Sequence, residues 1–293
     1  MSAEPIQGPG SAREPLPTPF LTVRVHDLAL VPSLTAVCAG YEAGQWRAAG
    51  LARHLLDWVP DFALRYGERR GINSGIAQEQ IRRAVRMAFG DGSAAGRGEP
   101  GEILLHIVCR EVFGSDTVVN KVFFKTSGND VVKGFDGVHI VQAPDSLELW
   151  LGEAKFYTDR DDAIRAALDS IGGHIATDYL RGEFALITDK IDESWPHAAA
   201  IRRLIHENVP IDEVFPRITI PVLLAYDSPT LQAHDRLSGE FVAEFETEMR
   251  DGWKRFADRL GDILPVRVRL LLAPLAAKRD LVAELDRRLP GWR

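Results

Sequence analysis

The chain has 293 residues, 45% of them hydrophobic and 26% charged, with a net charge of −7 and a pI near 5.7. That length allows one large or two ordinary domains, and the composition is that of a soluble globular protein, away from disordered, collagenous or disulfide-dense classes. The negative balance argues against gripping nucleic acid through a broad basic surface, but it leaves room for a nucleic-acid enzyme whose own metal site is built from carboxylates. Cys38 and Cys109 are too few for a disulfide framework or a four-cysteine zinc site. The hydrophobic run Ile218–Tyr226, interrupted by Pro221, falls far short of the roughly 20 residues that span a bilayer. The opening MSAEPIQGPGSAREPLPTP lacks the basic and apolar regions of a secretory signal, so a cytoplasmic location is expected.

In chain order, residues 1–19 carry five prolines and read as a disordered leader. Residues 20–100 read as a mainly helical N-terminal region, with a strand over Phe20–Leu30 and helices over Tyr41–Tyr66 and Ile76–Phe89. The glycine-rich stretch Gly90–Gly101 is the best internal break. Beyond it, residues 101–293 alternate. A helix is predicted over Glu102–Phe113, then strands over Val118–Phe124, Phe135–Val141 and Leu147–Phe156, joined by the turn-like SGNDVVKG and QAPDS. A helix over Asp161–Leu180 follows. Two further strands, Ile218–Tyr226 and Val266–Ala273, flank a long helix from about His234 to Leu264, and a last helix covers Ala277–Leu289. Helix, three strands, helix, strand, helix, strand, helix is an α/β pattern.

No phosphate-binding loop ending in G-K-[ST], no H-E-x-x-H and no G-x-S-x-G is present, which sets aside motors, zinc proteases and α/β-hydrolases. What stands out is Glu102 at a helix start, Asp136 in KGFDGVHIV, and Glu153 with Lys155 in LELWLGEAKFY. Side chains alternate along a strand, so Glu153 and Lys155 share a face while Ala154 takes the other. Charges in an apolar strand are costly unless used. With Asp136 on the neighbouring strand, cross-strand spacing of about 5 Å brings its carboxylate beside Glu153. Two carboxylates so placed suit a divalent cation such as Mg²⁺ or Mn²⁺, with Glu102 as a further metal or water contact and Lys155 as the catalytic cation. Lysine is scarce, 7 residues against 28 arginines, which makes Lys155 less easily dismissed as background. The plainer readings are a turn residue for Asp136, flanked by Gly134 and Gly137, and a dipole-favoured first-turn acid for Glu102.

In this order, Glu102, Asp136 and Glu153-x-Lys155 resemble the motifs of the PD-(D/E)xK nuclease superfamily, whose core is α-β-β-β-α-β. More narrowly, GEILLHIVCRE, GFDGVHIV and LWLGEAKFY resemble the nuclease subunit of Hachiman-type anti-phage defence systems, over roughly Gly101 to Leu186. The resemblance implies a PD-(D/E)xK-like restriction-endonuclease core with added helices, Mg²⁺-dependent DNA cleavage, and a partner helicase subunit that restrains the nuclease. Some superfamily members carry a Gln or a basic residue on the helix after the lysine strand. Here that helix offers Arg165, Asp169 and Ser170, and Arg165 is assigned a phosphate contact. The rival reading is a catalytically inactive nuclease-fold scaffold that docks a helicase or other partner. A carboxylate-pair glycosidase would leave Lys155 unexplained. His106, His139 and His174 read as packed histidines, and Arg82, Arg83 and Arg86 as a solvated helix face. Phe241, Phe245, Met249, Trp253 and Phe256 form an aromatic stripe suited to a core or a subunit interface, and either the N-terminal helical third or this helix around Phe245–Phe256 is the expected docking surface for the helicase.

Overall fold

The computed structural model describes residues 16–90, 98–124, 134–142, 146–261 and 265–292; the first fifteen residues of the expected leader, the centre of the Gly90–Gly101 break and most of the two turns at 127–134 and 142–146 lie outside them. The chain runs β1 (Thr22–Asp27), β2 (Ser33–Cys38), the two-residue strands β3 (Tyr41–Glu42) and β4 (Gln45–Trp46), α1 (Ala48–Ala63), α2 (Tyr66–Arg70), α3 (Ala77–Phe89) and α4 (Glu99–Phe113). It continues with β5 (Asp116–Asn120), β6 (Gly137–Gln142), β7 (Leu147–Phe156), α5 (Arg160–His174), α6 (Thr177–Lys190), α7 (Ala198–Leu204) and α8 (Ile211–Val214). Last come β8 (Ile218–Ala225), α9 (Pro229–Ala233), α10 (Gly239–Leu260), β9 (Arg267–Leu272) and α11 (Lys278–Arg288).

Seven strands form one sheet in the order β1-β2-β9-β8-β7-β6-β5. The middle, β2 through β7, is parallel, and an antiparallel strand or meander closes each side. A parallel strand needs both faces covered, and β8 is buried at every position. Side chains therefore divide the molecule into three layers. Leu149, Leu151, Val222 and Leu270 meet α5, α6 and α10 on one face; Trp150, Phe156, Leu223 and Leu271 meet α1, α3, α4 and α11 on the other. The fold is α/β, as the alternation implies.

Several elements differ from expectation. β2, SLTAVC, is buried throughout and so shows no alternation, which hides it from a periodicity reading. It pairs in parallel with β9, so the region 20–100 supplies two strands of the same sheet besides its helices. The predicted strand Val118–Phe124 shifts to Asp116–Asn120, because Lys121–Phe124 coils into a 3₁₀ turn. The predicted helix Asp161–Leu180 breaks into α5 and α6 just after Gly172 and Gly173. The long helix starts at Gly239 because Ser238 caps it, its hydroxyl accepting from the Phe241 amide. Its stripe is core: Phe241, Phe245, Met249 and Phe256 are buried, and the half-buried Trp253 donates to the Pro32 carbonyl at 2.7 Å. It is therefore not a free docking face, contrary to that expectation. Cys38 and Cys109 are free and buried.

Layer contacts at the sheet are close where glycine permits. A Cβ on Gly152 would fall 2.7 Å from Leu105 Cδ2, and one on Gly101 would fall 3.0 Å from Phe156 Cβ, so α4 lies hard against β7. A buried ion cluster ties α4 to its neighbours. Asp61 Oδ2 on α1 accepts from His106 Nε2 at 2.8 Å and Arg110 Nε at 3.0 Å, while its Oδ1 pairs with Arg69 of α2 at 2.6 Å. Burial pushes the Asp61 carboxyl up, but Arg110, His106 and Arg69 outweigh it and hold the group well below the usual carboxylate range. His106 is thus a packed histidine of the helical layer. Removing one partner of such a cluster strands the others. Asp61→Ala is expected to destabilise the fold by about 3–5 kcal/mol in urea unfolding at pH 7, and a loss below about 1 kcal/mol would show that the cluster does not secure α4.

Candidate functional site

The site forms where two strands part. β6 pairs with β7 from Gln142↔Leu147 back to Gly137↔Gly152, and β7 then runs four residues further, paired only with β8 from Glu153↔Val222 to Phe156↔Ala225. An amide turned toward the side where β6 has not yet begun needs another acceptor. Asp136, the residue before β6, provides it: its Oδ2 accepts from the Ala154 amide at 2.8 Å, and its own amide donates to the Gly152 carbonyl at 2.9 Å. Its carboxylate is thereby fixed against the peptide that joins Glu153 to Ala154. The segment ahead of it is confined as well. Gly134 has φ +149°, and a Cβ there would sit 3.0 Å from Oε2 of Glu183, a buried acid of α6.

Glu153 and Lys155 continue the Leu149–Leu151 face of β7, opposite Ala154, which packs toward α4. Lys155 Nζ donates to Glu153 Oε1 at 2.6 Å and to Ser170 Oγ of α5 at 2.9 Å. The second Glu153 oxygen, Oε2, pairs with His174 Nδ1 at 3.5 Å, and among the described residues neither atom has a further hydrogen-bond partner. Glu153 is 3% exposed, so it is a charge inside the protein and not on an open face. Burial pushes its carboxyl up; His174 and Lys155 together outweigh that and hold it below the ordinary range.

The structure therefore brings Asp136, Glu153 and Lys155 to one end of β7. Glu102 lies buried in the first turn of α4, one residue past the glycine that abuts Ala154 and Phe156, with Oε1 turned back beside Gly98, in the layer opposite the face that carries Glu153 and Lys155. Among the described residues no three His, Cys, Asp or Glu side chains gather as a metal cluster. Arg165 is exposed on α5 and ion-paired with Asp162, while Ser170 and His174, on the side of the helix facing β7, meet Lys155 and Glu153. Those two residues were not predicted site residues, although their spacing of four after the lysine strand places them on one helix face. Glu183 gave no signal in the sequence. His139 is packed, its Nδ1 3.0 Å from Ser115 Oγ. A separate pocket of about 670 Å³ opens beyond the ends of β7 and β8, and carboxylates of Asp159, Asp161, Asp227, Glu244 and Asp251 line it.

Fold and site together define a three-layer α/β protein with an acid and lysine constellation at the parting of two central strands. The HamA family model matches residues 16–289, nearly the whole chain. The chain belongs to the HamA family, and HamA is the Hachiman defence protein. No curated protein matches the sequence.

The Glu153–Lys155 pair has a pH signature. With the folded pKa of Glu153 depressed by His174 and Lys155 together, the stability they contribute is present above the ordinary Glu value of about 4.3 and is lost as pH falls through the folded-state value. Lys155→Met is expected to be about 3 kcal/mol less stable than the wild type at pH 7, with the difference narrowing as pH falls toward and through the ordinary Glu value of about 4.3, because the variant's buried carboxyl takes up a proton before the wild type's does. Urea unfolding across pH 3–7 reads this, and a difference independent of pH would show that Lys155 does not neutralise Glu153.

Proposed function

We propose that this HamA-family protein is a Mg²⁺- or Mn²⁺-dependent deoxyribonuclease of a Hachiman-type anti-phage system, with Asp136 and Glu153 as metal-site acids and Lys155 as the catalytic cation. The observation that carries the reading is the geometry at the end of β7, where Lys155 Nζ is 2.6 Å from Glu153 Oε1 and Asp136 is anchored on the Ala154 amide between them. The chain order of α4, the β5-β6-β7 meander, α5 and then β8 in parallel beside β7 supports the PD-(D/E)xK reading.

The donor set fits a hard divalent ion. Mg²⁺ takes one or two carboxylates and fills its remaining positions with water and substrate oxygens, so two acids suffice without a three-residue cage. Among the described residues, Glu153 Oε2 is a buried carboxylate oxygen whose one partner is the 3.5 Å contact to His174, which leaves it capacity that an ion would satisfy. When bound, such an ion polarises a phosphoryl oxygen and makes water more acidic. The chain's own residues do the rest. Asp136 is held by a backbone amide and cannot swing, and Glu102 enters from α4 as a further contact. The Lys155 ammonium, aimed by Glu153 and Ser170, offsets charge that develops on the phosphorane.

The partner is the one that the resemblance to Hachiman-type nuclease subunits implies, and the charge of the chain is consistent with it. A chain at −7 gains little from releasing counterions on DNA, which suits delivery of the substrate by the cytoplasmic helicase subunit that the resemblance implies, the same subunit that restrains the nuclease. Plasmid cleavage with Mg²⁺ tests the whole reading, using the chain alone and copurified with the helicase encoded beside it. Cleavage should require the complex, and Asp136→Asn or Lys155→Met within it should lower the rate by about 10²-fold or more. Undiminished cleavage by Lys155→Met overturns the residue roles. A wild-type complex that binds DNA and never cuts it supports the scaffold reading instead.

A further inference from the structure

Lys155 and Glu153 are each met by a residue of α5. Ser170 and His174 are four apart, one turn of helix, and so stand one above the other on the side facing β7. The helix comes near enough for this because Ala163, Ala167 and Ile171 are buried against the sheet, two of them with no side chain beyond Cβ. An ammonium on a four-carbon stem has many rotamers, and one contact to Glu153 leaves it free to pivot. The bond to Ser170 Oγ at 2.9 Å removes that freedom.

The His174 ring is placed by contacts other than Glu153. It stacks on Tyr179 of α6 with centroids 4.7 Å apart and planes 15° from parallel, and it meets Phe135 edge-on at 4.9 Å. Phe135 immediately precedes Asp136. The imidazole therefore touches the residue beside one acid and presents Nδ1 at 3.5 Å to Oε2 of the other, the oxygen that Lys155 does not hold.

We propose that Ser170 and His174 are positioning residues for this site. Ser170 sets the direction of the Lys155 ammonium, and His174 sets the orientation of Glu153 Oε2 relative to Asp136. The proposal rests on the nuclease reading for its catalytic consequence, but the orientation of Glu153 has a readout that needs no cleavage. Groups that orient metal-binding side chains change affinity by about 10–100-fold when removed.

The test uses the full chain with its helicase subunit and four variants. Ser170→Ala removes the acceptor and Ser170→Thr keeps it. His174→Phe keeps the ring stack without a nitrogen, and His174→Asn keeps a polar atom near the Nδ1 position. Two measurements are made: Mn²⁺ affinity by calorimetry with the metal alone, and kcat and KM for plasmid cleavage. His174→Phe should weaken Mn²⁺ binding by about 10-fold or more, with His174→Asn recovering most of it. Ser170→Ala should lower kcat by about 10-fold with KM little changed, and Ser170→Thr should restore it. Unchanged Mn²⁺ affinity in His174→Phe with unchanged kcat in Ser170→Ala overturns the proposal. So does an equal loss of thermal stability and activity in all four variants, since that is a purely structural role. If the wild type binds Mn²⁺ and cuts no DNA, the nuclease reading fails while the affinity series still decides the role of His174.

Discussion

A carboxylate buried in the central sheet must be neutralised where it stands, and the arrangement around Glu153 follows from that requirement. At 3% exposure it has no access to bulk water, and an unpaired charge there would cost several kcal/mol. Lys155, two residues on along the same face, is the nearest cation the strand can offer. Accommodating that pair requires α5 to bring Ser170 and His174 over β7, which in turn requires the small residues along the buried side of α5. The outcome is a strand end with more polar groups than stability alone would select. Replacing a buried ion pair by well-packed apolar residues is often neutral or favourable, so a pair kept here points to use.

The same strand end depends on β6 beginning late. Were β6 to start two residues earlier in register, backbone pairing would take the Ala154 amide and Asp136 would be an ordinary strand residue. Instead its carboxylate completes the ladder and is fixed by doing so. From the other layer, α4 approaches β7 through Gly101 and Gly152, secured by the Asp61 cluster. Two acids, Asp136 and Glu153, thus meet at the end of β7, and among the described residues no third acid joins them in a closed cage. Such an open arrangement suits an ion that keeps positions for substrate.

Much of this was legible in the sequence because it depends on short-range rules. Alternation along LELWLGEAKF places Glu153 and Lys155 on one face, and turn residues between two β-rich runs make β6 and β7 neighbours. What could not be read depends on tertiary packing. β2 lacks alternation because both its faces are covered. His174 read as an isolated packed histidine inside one helix, Asp161–Leu180; only the break between α5 and α6, which brings Tyr179 back against it, sets the ring beside Glu153. Arg165 stood out because it is basic, yet the packing of α5 turns Ser170 inward and leaves Arg165 in solvent. The aromatic stripe of α10 gave the correct periodicity, and periodicity does not say whether a core or a partner covers it.

The most direct test of the central claim is anomalous scattering from crystals grown with Mn²⁺. A single strong peak bonded to carboxylate oxygens of both Asp136 and Glu153, and lost in Asp136→Asn, is the expected result. A Mn²⁺ peak at the carboxylate-lined pocket beyond β7 and β8, with none between Asp136 and Glu153, would contradict it.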